Sequence, residues 1–248
     1  MAVSLPIEAD FQAEMPNPIA RQGNRIPGDN VNLQQPVAGR SAPDLQAVAL
    51  VTRRTASPPG LFHPVVHIVE QMAPGGIETL ALDLVRGSSG EARLISLKGT
   101  ASELVAAWPA LATLDGFLEG LNGGDGLRPS LIGRLYRRLR GMTAGAVVLH
   151  HIGPLLYGGL AARLAGIPAI VHVEHDLWHY DAFPRHRLLT GLAERLVRPR
   201  HVTLSESAAA ELRKILPQAQ IEVIATGVDL NRFRADGRAP ARAALGLR

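Results

Sequence analysis

Short apolar runs alternate with longer stretches of helical periodicity from residue 63 onward, and this alternation limits the chain to one class of fold. The apolar runs predict strands over residues 65–69, 93–97, 146–150, 169–173, 201–204 and 221–225. Nearly continuous apolar runs are typical of strands that are covered on both faces. Strands that alternate with helices are joined by right-handed crossovers into a parallel sheet. We therefore expect an α/β fold in which helices cover both faces of a parallel sheet.

The stretches between these strands predict helices over residues 77–85, 102–108, 131–140, 155–165, 183–197 and 207–216. Ser130 is expected to cap the third helix, and Gly166 is expected to follow the end of the fourth. Pro217 is expected to stop the last helix. Residues 111–118 are expected to be irregular or to form a strand.

The first 62 residues differ from the rest, because they contain eight prolines among Asn and Gln and have no sustained periodicity. We expect a disordered, proline-rich extension over residues 1–62 and a folded domain over residues 63–233. Residues 1–20 lack the basic start and apolar core of a secretory signal. Residues 141–162 carry no charge, but two histidines and a Gly-Pro pair at their centre favour a buried strand and loop over a membrane span.

Composition excludes several kinds of site. The chain has no cysteine, so disulfides, thiolate metal sites and cysteine nucleophiles are ruled out. Its 26 basic and 22 acidic residues leave a net charge of +4. No basic cluster is interleaved with aromatic residues that could stack on bases, so nucleic acid is not an expected partner.

A glycine turn follows the first predicted strand, at the edge of the sheet where α/β proteins bind ligands. In Pro74-Gly75-Gly76-Ile77-Glu78 the glycines let a ligand approach the backbone, and the start of the next helix offers unpaired N–H groups to a phosphate. A plain tight turn, with Glu78 complementing the helix dipole, explains the same residues equally well.

Histidines and carboxylates follow two other strands at the same edge. A single histidine at such a place is more often structural than catalytic, but several that converge on one edge favour a binding site. The residues concerned are His150, His151, His172, Glu174, His175, Asp176 and His179.

The order of these motifs along residues 64–233 resembles the N-terminal domain of family 4 glycosyltransferases of the GT-B fold, and most of all the bacterial exopolysaccharide sugar transferases. Besides the glycine turn and His150-His151, the resemblance rests on residues 160–168, the strand that ends at His175, and residues 202–206 and 223–233. It depends on the ordered set, since no single motif would suffice.

The resemblance implies a Rossmann-like acceptor-side domain that faces a second domain, with retaining transfer from a nucleotide-sugar in the cleft between them. It implies that backbone N–H groups at Gly75 and Gly76 approach the donor diphosphate. It also implies that His175 contacts the transferring sugar as the catalytic residue, and that no metal or other cofactor is required. The remaining candidates for donor or substrate binding are Glu78, His150, His151, Glu174, Asp176, Ser205, Gly227 and Asp229.

Two departures from the family pattern bear on activity. Residues 225–229 read Ala-Thr-Gly-Val-Asp where the family has Pro-Asn-Gly-Val-Asp, so the donor contact near Thr226 is in doubt. Residues 234–248 are expected to begin an interdomain linker, with the donor-binding domain absent. We therefore expect a hexosyltransferase-type chain that is inactive without a donor-binding domain.

Two alternatives remain. The first is a non-catalytic module that binds an acceptor or a partner protein. The second is a metal-dependent hydrolase built on His150, His151, His172, His175 and His179, with Asp176 or Glu174 completing the ligand set. Against the hydrolase, His172 and His175 are three residues apart, so their side chains point to opposite faces unless the strand ends between them.

The expected partners are a nucleotide-sugar, a saccharide or lipid-linked acceptor, and an anionic membrane surface. Residues 131–140 place apolar side chains beside Arg134, Arg137, Arg138 and Arg140, a pattern that suits a membrane surface but also an ordinary surface helix. A second cationic region contains Arg185, Arg187, Arg195, Arg198 and Arg200. The expected location is the cytoplasm, with peripheral attachment to the inner membrane face, in bacterial polysaccharide or glycolipid synthesis.

Overall fold

The computed structural model describes residues 63–88, 92–124, 126, 128–227 and 237–247. The extension expected over residues 1–62 and the candidate Asp229 lie outside the described residues.

Seven strands of the described residues form one sheet, in the order β3-β2-β1-β4-β5-β6-β7. Every neighbouring pair in it is parallel, which confirms the expected α/β class. The strands are β1 (Val65–Val69), β2 (Ala92–Ser96), β3 (Leu118–Gly120), β4 (Ala146–His150), β5 (Ala169–Glu174), β6 (Arg200–Thr203) and β7 (Ile221–Val223).

Helices connect the strands. They are α1 (Gly76–Gly87), α2 (Ala101–Ala107), a 3₁₀-helix (Pro109–Leu114), α3 (Ser130–Gly141), α4 (Ile152–Pro154, a π-helical segment Leu155–Gly159, and Leu160–Leu164), α5 (Trp178–Ala182), α6 (Pro184–Val197), α7 (Glu206–Ile215) and α8 (Arg238–Ala244). The last of these lies within the residues expected to begin a linker.

Local sequence explains where several helices begin and end. Thr100 and Glu103 form a capping box at the start of α2, in which the Glu103 carboxylate accepts the Thr100 N–H at 2.8 Å. Gly166 follows α4 with φ of +73°, as expected for the residue after a helix.

Two local predictions need correction, and one short helix is missing from the prediction. Ser130 is the first residue of α3 and not its cap, because Pro129 has a helical backbone conformation. Residues 111–114 belong to the 3₁₀-helix, residues 115–117 form a turn, and Leu118 is the first residue of β3. The short helix α5 was not predicted, since its sequence Trp-His-Tyr-Asp-Ala has no apolar stripe.

Two apolar layers cover the two faces of the sheet, as expected. One layer packs Val66, Ile68 and Leu149 of the strands against buried side chains of α3, α4 and α6. The other packs Leu94 against α1, α2 and the 3₁₀-helix. Among the described residues, no helix is long and apolar enough to cross a membrane.

The π-helical segment of α4 fits closely onto the sheet. A Cβ atom at Gly158 would lie 2.8 Å from Leu149 Cδ2 and 2.9 Å from Ile68 Cδ1. At Gly159, a Cβ atom would lie 3.0 Å from Cγ1 of Val197 in α6. The two glycines therefore let α4 approach both β1/β4 and α6.

The order in which strands are added to the sheet reverses between β1 and β4, although the two strands are parallel. After β1 the chain proceeds to β2 and β3 on one side, and then returns to build β4 to β7 on the other side. Loops that leave neighbouring strands at such a reversal separate and form a crevice. At this crevice the turn after β1 contacts the turn after β4. The Glu70 carboxylate lies so close to Gly153 that a Cβ at Gly153 would collide with it.

Candidate functional site

Three histidines form a row of imidazole rings across β1, β4 and the end of β5. His67 Nδ1 lies 3.1 Å from His150 Nε2, and His150 Nδ1 lies 3.2 Å from His175 Nε2. Neighbouring rings are stacked, with centroids 5.4 Å and 5.5 Å apart. We call these residues the imidazole row.

Burial keeps the imidazole row neutral. It lowers the pKa of His67 to about 4 and holds the pKa of His150 well below its usual range, where the neighbouring imidazoles add to the effect. Burial also lowers the pKa of His175. A neutral imidazole has one N–H donor and one acceptor nitrogen. Both ring nitrogens of His150 face other histidines, so its one N–H donates to one neighbour and its other nitrogen accepts from the other. The N–H groups of the row therefore all point in one direction. The second ring nitrogen of His175, Nδ1, lies outside the row.

A buried carboxylate organises the residues after β5. Glu174 Oε2 accepts a hydrogen bond from the Tyr180 hydroxyl at 2.7 Å, and Glu174 Oε1 lies 3.2 Å from His179 Nε2. Burial would raise the pKa of Glu174, but the hydrogen bonds and the nearby His172 and His179 lower it to about 2. Burial, followed by the Glu174 charge, raises the pKa of Tyr180, so this hydroxyl remains a donor.

Three potential metal ligands lie together at the carboxyl ends of β4 and β5. His151, Asp176 and His179 each offer one ligand atom, and these atoms lie within 4.8 Å of one another. We call them the His–Asp cluster. His151 has φ of 81° and ψ of 172°, a backbone conformation that only glycine adopts readily. Strained residues of this kind often lie at functional sites.

The five histidines of the hydrolase alternative do not form one ligand shell. His172 Nδ1 lies 3.0 Å from His201 Nδ1, and His201 Nε2 lies 2.7 Å from Glu194 Oε2. This buried pair is distinct from the imidazole row, which contains His175. Among the described residues, the His–Asp cluster is the one group whose atoms could share an ion.

The glycine turn lies after β1 at the start of α1. Gly75 is the N-cap residue. Apart from the adjacent residues and the backbone of α1 itself, no described atom lies within 4 Å of a Cβ placed on Gly76. The Glu78 carboxylate folds back over the turn, where a Cβ on Gly75 would collide with it. Burial raises the pKa of Glu78. Glu78 therefore lies where the sequence predicts a donor phosphate, and it must turn away before an anion can approach.

The other candidates lie farther along the sheet edge. Ser205 caps α7 by accepting the Ala208 N–H at 3.2 Å, so a structural role accounts for its hydroxyl. Gly227 lies beyond β7 and is exposed.

The structure thus brings His150, Glu174, His175 and Asp176 together with His151 after β4 and β5. Sequence reasoning missed His67, Tyr180 and His186 as neighbours of this region. The available signal was His67 itself, because a histidine interrupts an otherwise apolar strand there.

The sequence and fold define the class of this protein. Residues 74–232 match the family described as Glycosyltransferase Family 4. Because the match covers more than half of the chain, the chain belongs to glycosyltransferase family 4, as its motifs predict. No curated protein matches the chain.

Several solved structures share the fold. Anabaena Alr3699/HepE in complex with UDP is 16% identical, with a TM-score of 0.57 over 74% of this chain and 50% of that chain. The same protein in complex with UDP and glucose is 14% identical, with a TM-score of 0.58 over the same shares. At these identities the likeness shows the Rossmann-like fold alone. The chain spans about half the length of these structures.

Proposed function

We propose that this chain is the acceptor-side half of a retaining, nucleotide-sugar-dependent glycosyltransferase. The observation that carries the proposal is the convergence of the glycine turn, His150 and His175 on the carboxyl edge of a family 4 domain. The solved structures named above contain UDP or UDP with glucose, which supports a nucleoside diphosphate-sugar as donor. We propose a hexosyl group as the part transferred, in polysaccharide or glycolipid synthesis.

In the proposed reaction, the bond between the anomeric carbon and the diphosphate breaks, and its electron pair leaves with the diphosphate. The acceptor hydroxyl oxygen bonds to the anomeric carbon, and the hydroxyl proton ends on the diphosphate product. Once the Glu78 carboxylate has turned away from the glycine turn, the N–H groups at the start of α1 stabilise the growing phosphate charge, because their dipoles already point at the phosphate position. This transfer is proposed to need no cofactor.

His175 is proposed to contact a hydroxyl of the transferring sugar through Nδ1. His150 holds the other nitrogen of that ring at 3.2 Å, and His67 in turn holds His150. The ring is thereby kept in one orientation, which lowers the cost of positioning the sugar. Asp176 follows His175 and is proposed to bind a further substrate hydroxyl. The Glu174 carboxylate is fully buried against Tyr180 and His179, so it is proposed to hold these two residues in place and not to contact the substrate.

The proposal includes a donor-binding half, present in the same protein or supplied by another, because the chain spans half of the matched structures. The test joins the full chain to the donor-binding half of an active family 4 enzyme and measures sugar transfer. His175→Ala should lower turnover by about a hundredfold, comparable to the loss of one oxyanion-hole donor. His63→Ala is the matched control, because His63 is exposed and bonds only to Thr143 O among the described residues.

Full turnover in the His175→Ala chimera would refute the site assignment. A folded chimera that binds acceptor saccharides but never transfers sugar would instead support the non-catalytic binding module. UDP-glucose should bind the 248-residue chain alone with a dissociation constant no lower than millimolar, which corresponds to a binding free energy of about −4 kcal/mol. Micromolar binding would show that the second half is not needed for the donor.

A membrane contact is proposed through α6 and not through α3. The apolar side chains Leu131, Leu135 and Leu139 of α3 are buried in the core, so they cannot contact lipid. Two arginines of α3 are also engaged, since Arg134 donates to the Leu121 carbonyl and Arg138 pairs with Glu119 at 2.7 Å. The burial of these three leucines favours the ordinary surface helix that the sequence of residues 131–140 also allows.

Helix α6 has the required surface. Leu188, Leu192 and Leu196 lie four residues apart on one side and are 75%, 48% and 52% exposed. Arg195 and Arg198 are exposed beside them, so the surface combines apolar side chains with positive charge. We propose that it binds an anionic lipid surface peripherally.

Vesicle sedimentation tests this contact. The double variant Leu188→Gln with Leu192→Gln should bind phosphatidylglycerol vesicles at least tenfold more weakly. Each substitution removes roughly 1 kcal/mol of binding free energy that comes from partial burial of the leucine in the lipid. Leu84→Gln on α1 is the matched control, because Leu84 is 45% exposed and belongs to the opposite face of the sheet. Equal binding by the double variant and the control would refute the proposal.

A further inference from the structure

The His–Asp cluster has the ligand types and the spacing of a metal site. Its three ligand atoms, from His151, Asp176 and His179, lie within 4.8 Å of one another. Two ligands on one tetrahedral zinc ion are about 3.3 Å apart, given bonds of about 2.0–2.1 Å. Binding an ion therefore requires the side chains to close by at most about 1.5 Å, which small side-chain rotations can provide.

Asp176 supplies a second, independent observation. Its Oδ1 atom is buried and has no hydrogen-bond partner among the described residues. A buried carboxylate oxygen without a donor costs free energy, because the desolvation penalty is not offset. A cation held between Asp176 and the two imidazoles would offset that penalty.

His179 is oriented as a metal-binding histidine would be. Its Nε2 lies 3.2 Å from the Glu174 carboxylate, which can only accept, so Nε2 carries the proton. In the neutral ring, the lone pair is then on Nδ1. Metal-binding histidines usually donate their other N–H to a carboxylate in this way. Glu174 is itself held by the Tyr180 hydroxyl.

His186 lies next to the same lone pair. The Nδ1 atoms of His179 and His186 are 3.2 Å apart, close to the separation of two imidazoles on one zinc ion. His186 is not among the residues whose ligand atoms lie within 4.8 Å of one another, so the fourth position of a tetrahedral ion is left to water or to a substrate oxygen.

We propose that His151, Asp176 and His179 form a site for a divalent transition metal of the zinc class, with Glu174 as the residue that orients His179. Two imidazoles and one carboxylate suit Zn²⁺, and they also bind Co²⁺. The ion would connect the turn after β4 to the turn after β5 that carries His175. The proposal does not rest on the proposed glycosyltransferase activity, and the ion takes no part in the transfer step described above.

The test uses the full chain after removal of metals with a chelator and dialysis. Calorimetry with Zn²⁺ should show one equivalent bound with micromolar or tighter affinity, and Co²⁺ should give the visible absorption of a four-coordinate site. Asp176→Asn and His151→Ala should each weaken Zn²⁺ binding at least tenfold. Glu174→Gln should weaken it roughly 10- to 100-fold, as expected for a residue that orients a ligand. Circular dichroism of each metal-free variant checks its fold, and His151→Gln and Asp176→Ser replace any variant that does not fold.

Two histidine controls separate this site from other histidines. His63→Ala removes an exposed imidazole and should leave Zn²⁺ affinity unchanged. His150→Ala disrupts the imidazole row and should also leave one equivalent bound. Zn²⁺ binding weaker than millimolar would overturn the proposal. So would unchanged affinity in both Asp176→Asn and His151→Ala, or binding that is lost in His150→Ala but kept in His151→Ala.

Discussion

Replacing Gly158 by alanine should destabilise the fold, although the same change stabilises an ordinary helix. Alanine in place of glycine within a helix usually gains about 0.5–1 kcal/mol, because the unfolded chain loses freedom. At Gly158 the new Cβ would lie 2.8 Å and 2.9 Å from methyl groups of Leu149 and Ile68. Both of these side chains are fully buried, so neither can turn into solvent.

The expected size follows from these two opposing effects. Forcing an extra methyl group into a packed core costs about 1–3 kcal/mol. After the helical gain is subtracted, Gly158→Ala should lower the free energy of unfolding by about 1 kcal/mol. Gly133→Ala is the matched control in α3, because no described atom outside the adjacent residues and the backbone of α3 lies within 4 Å of its Cβ position. This control should raise the free energy of unfolding by about 0.5–1 kcal/mol.

Urea denaturation followed by far-ultraviolet circular dichroism measures both variants against the wild-type chain. The two urea midpoints should move in opposite directions with unchanged slopes. If Gly158→Ala is stabilised as much as Gly133→Ala, the close contact of the π-helical segment with β1 and β4 is refuted.

Two further predictions concern buried polar groups. Because burial lowers the pKa of His67 from 6.5 to about 4, the unfolded chain binds more protons than the folded chain between these values, so stability should fall as pH decreases through this window. The loss from His67 should be about 2 kcal/mol at pH 5 relative to pH 7, and a urea midpoint that is the same at both pH values would contradict it. Tyr180→Phe removes the hydroxyl that donates to Glu174 and should cost about 1–3 kcal/mol in thermal unfolding. Tyr136→Phe, at a partly exposed position, should leave the melting temperature unchanged, and an equal effect of both changes would argue against the buried hydrogen bond.

The sequence predicted the sheet well because its strands are buried on both faces. Continuous apolar runs such as that of β4 leave little room for another assignment. The short strand β3 was harder to predict, since Leu118, Glu119 and Gly120 are only partly buried and give no clear period. The π-helical segment was also unpredictable, because its glycines are explained only by contacts with distant strands.

The sequence predicted where the candidate site lies, but not which of its residues contact one another. The strand-end rule located His150 and His175 correctly at one edge of the sheet. It could not show that His150 contacts His67, 83 residues earlier in the chain, because that contact depends on β1 lying beside β4. Nor could spacing separate the His–Asp cluster from the pair formed by His172 and His201.

The reversal of strand order between β1 and β4 also affects how the chain folds during synthesis. A ribosome adds about 5–20 residues per second, so β4 emerges several seconds after β1, with about 80 residues between them. During that interval β1 can pair with β2, while its other edge has unpaired N–H and C=O groups beside an apolar strand. A nascent chain paused between residues 120 and 146 should therefore be the form most prone to aggregation and most dependent on chaperones.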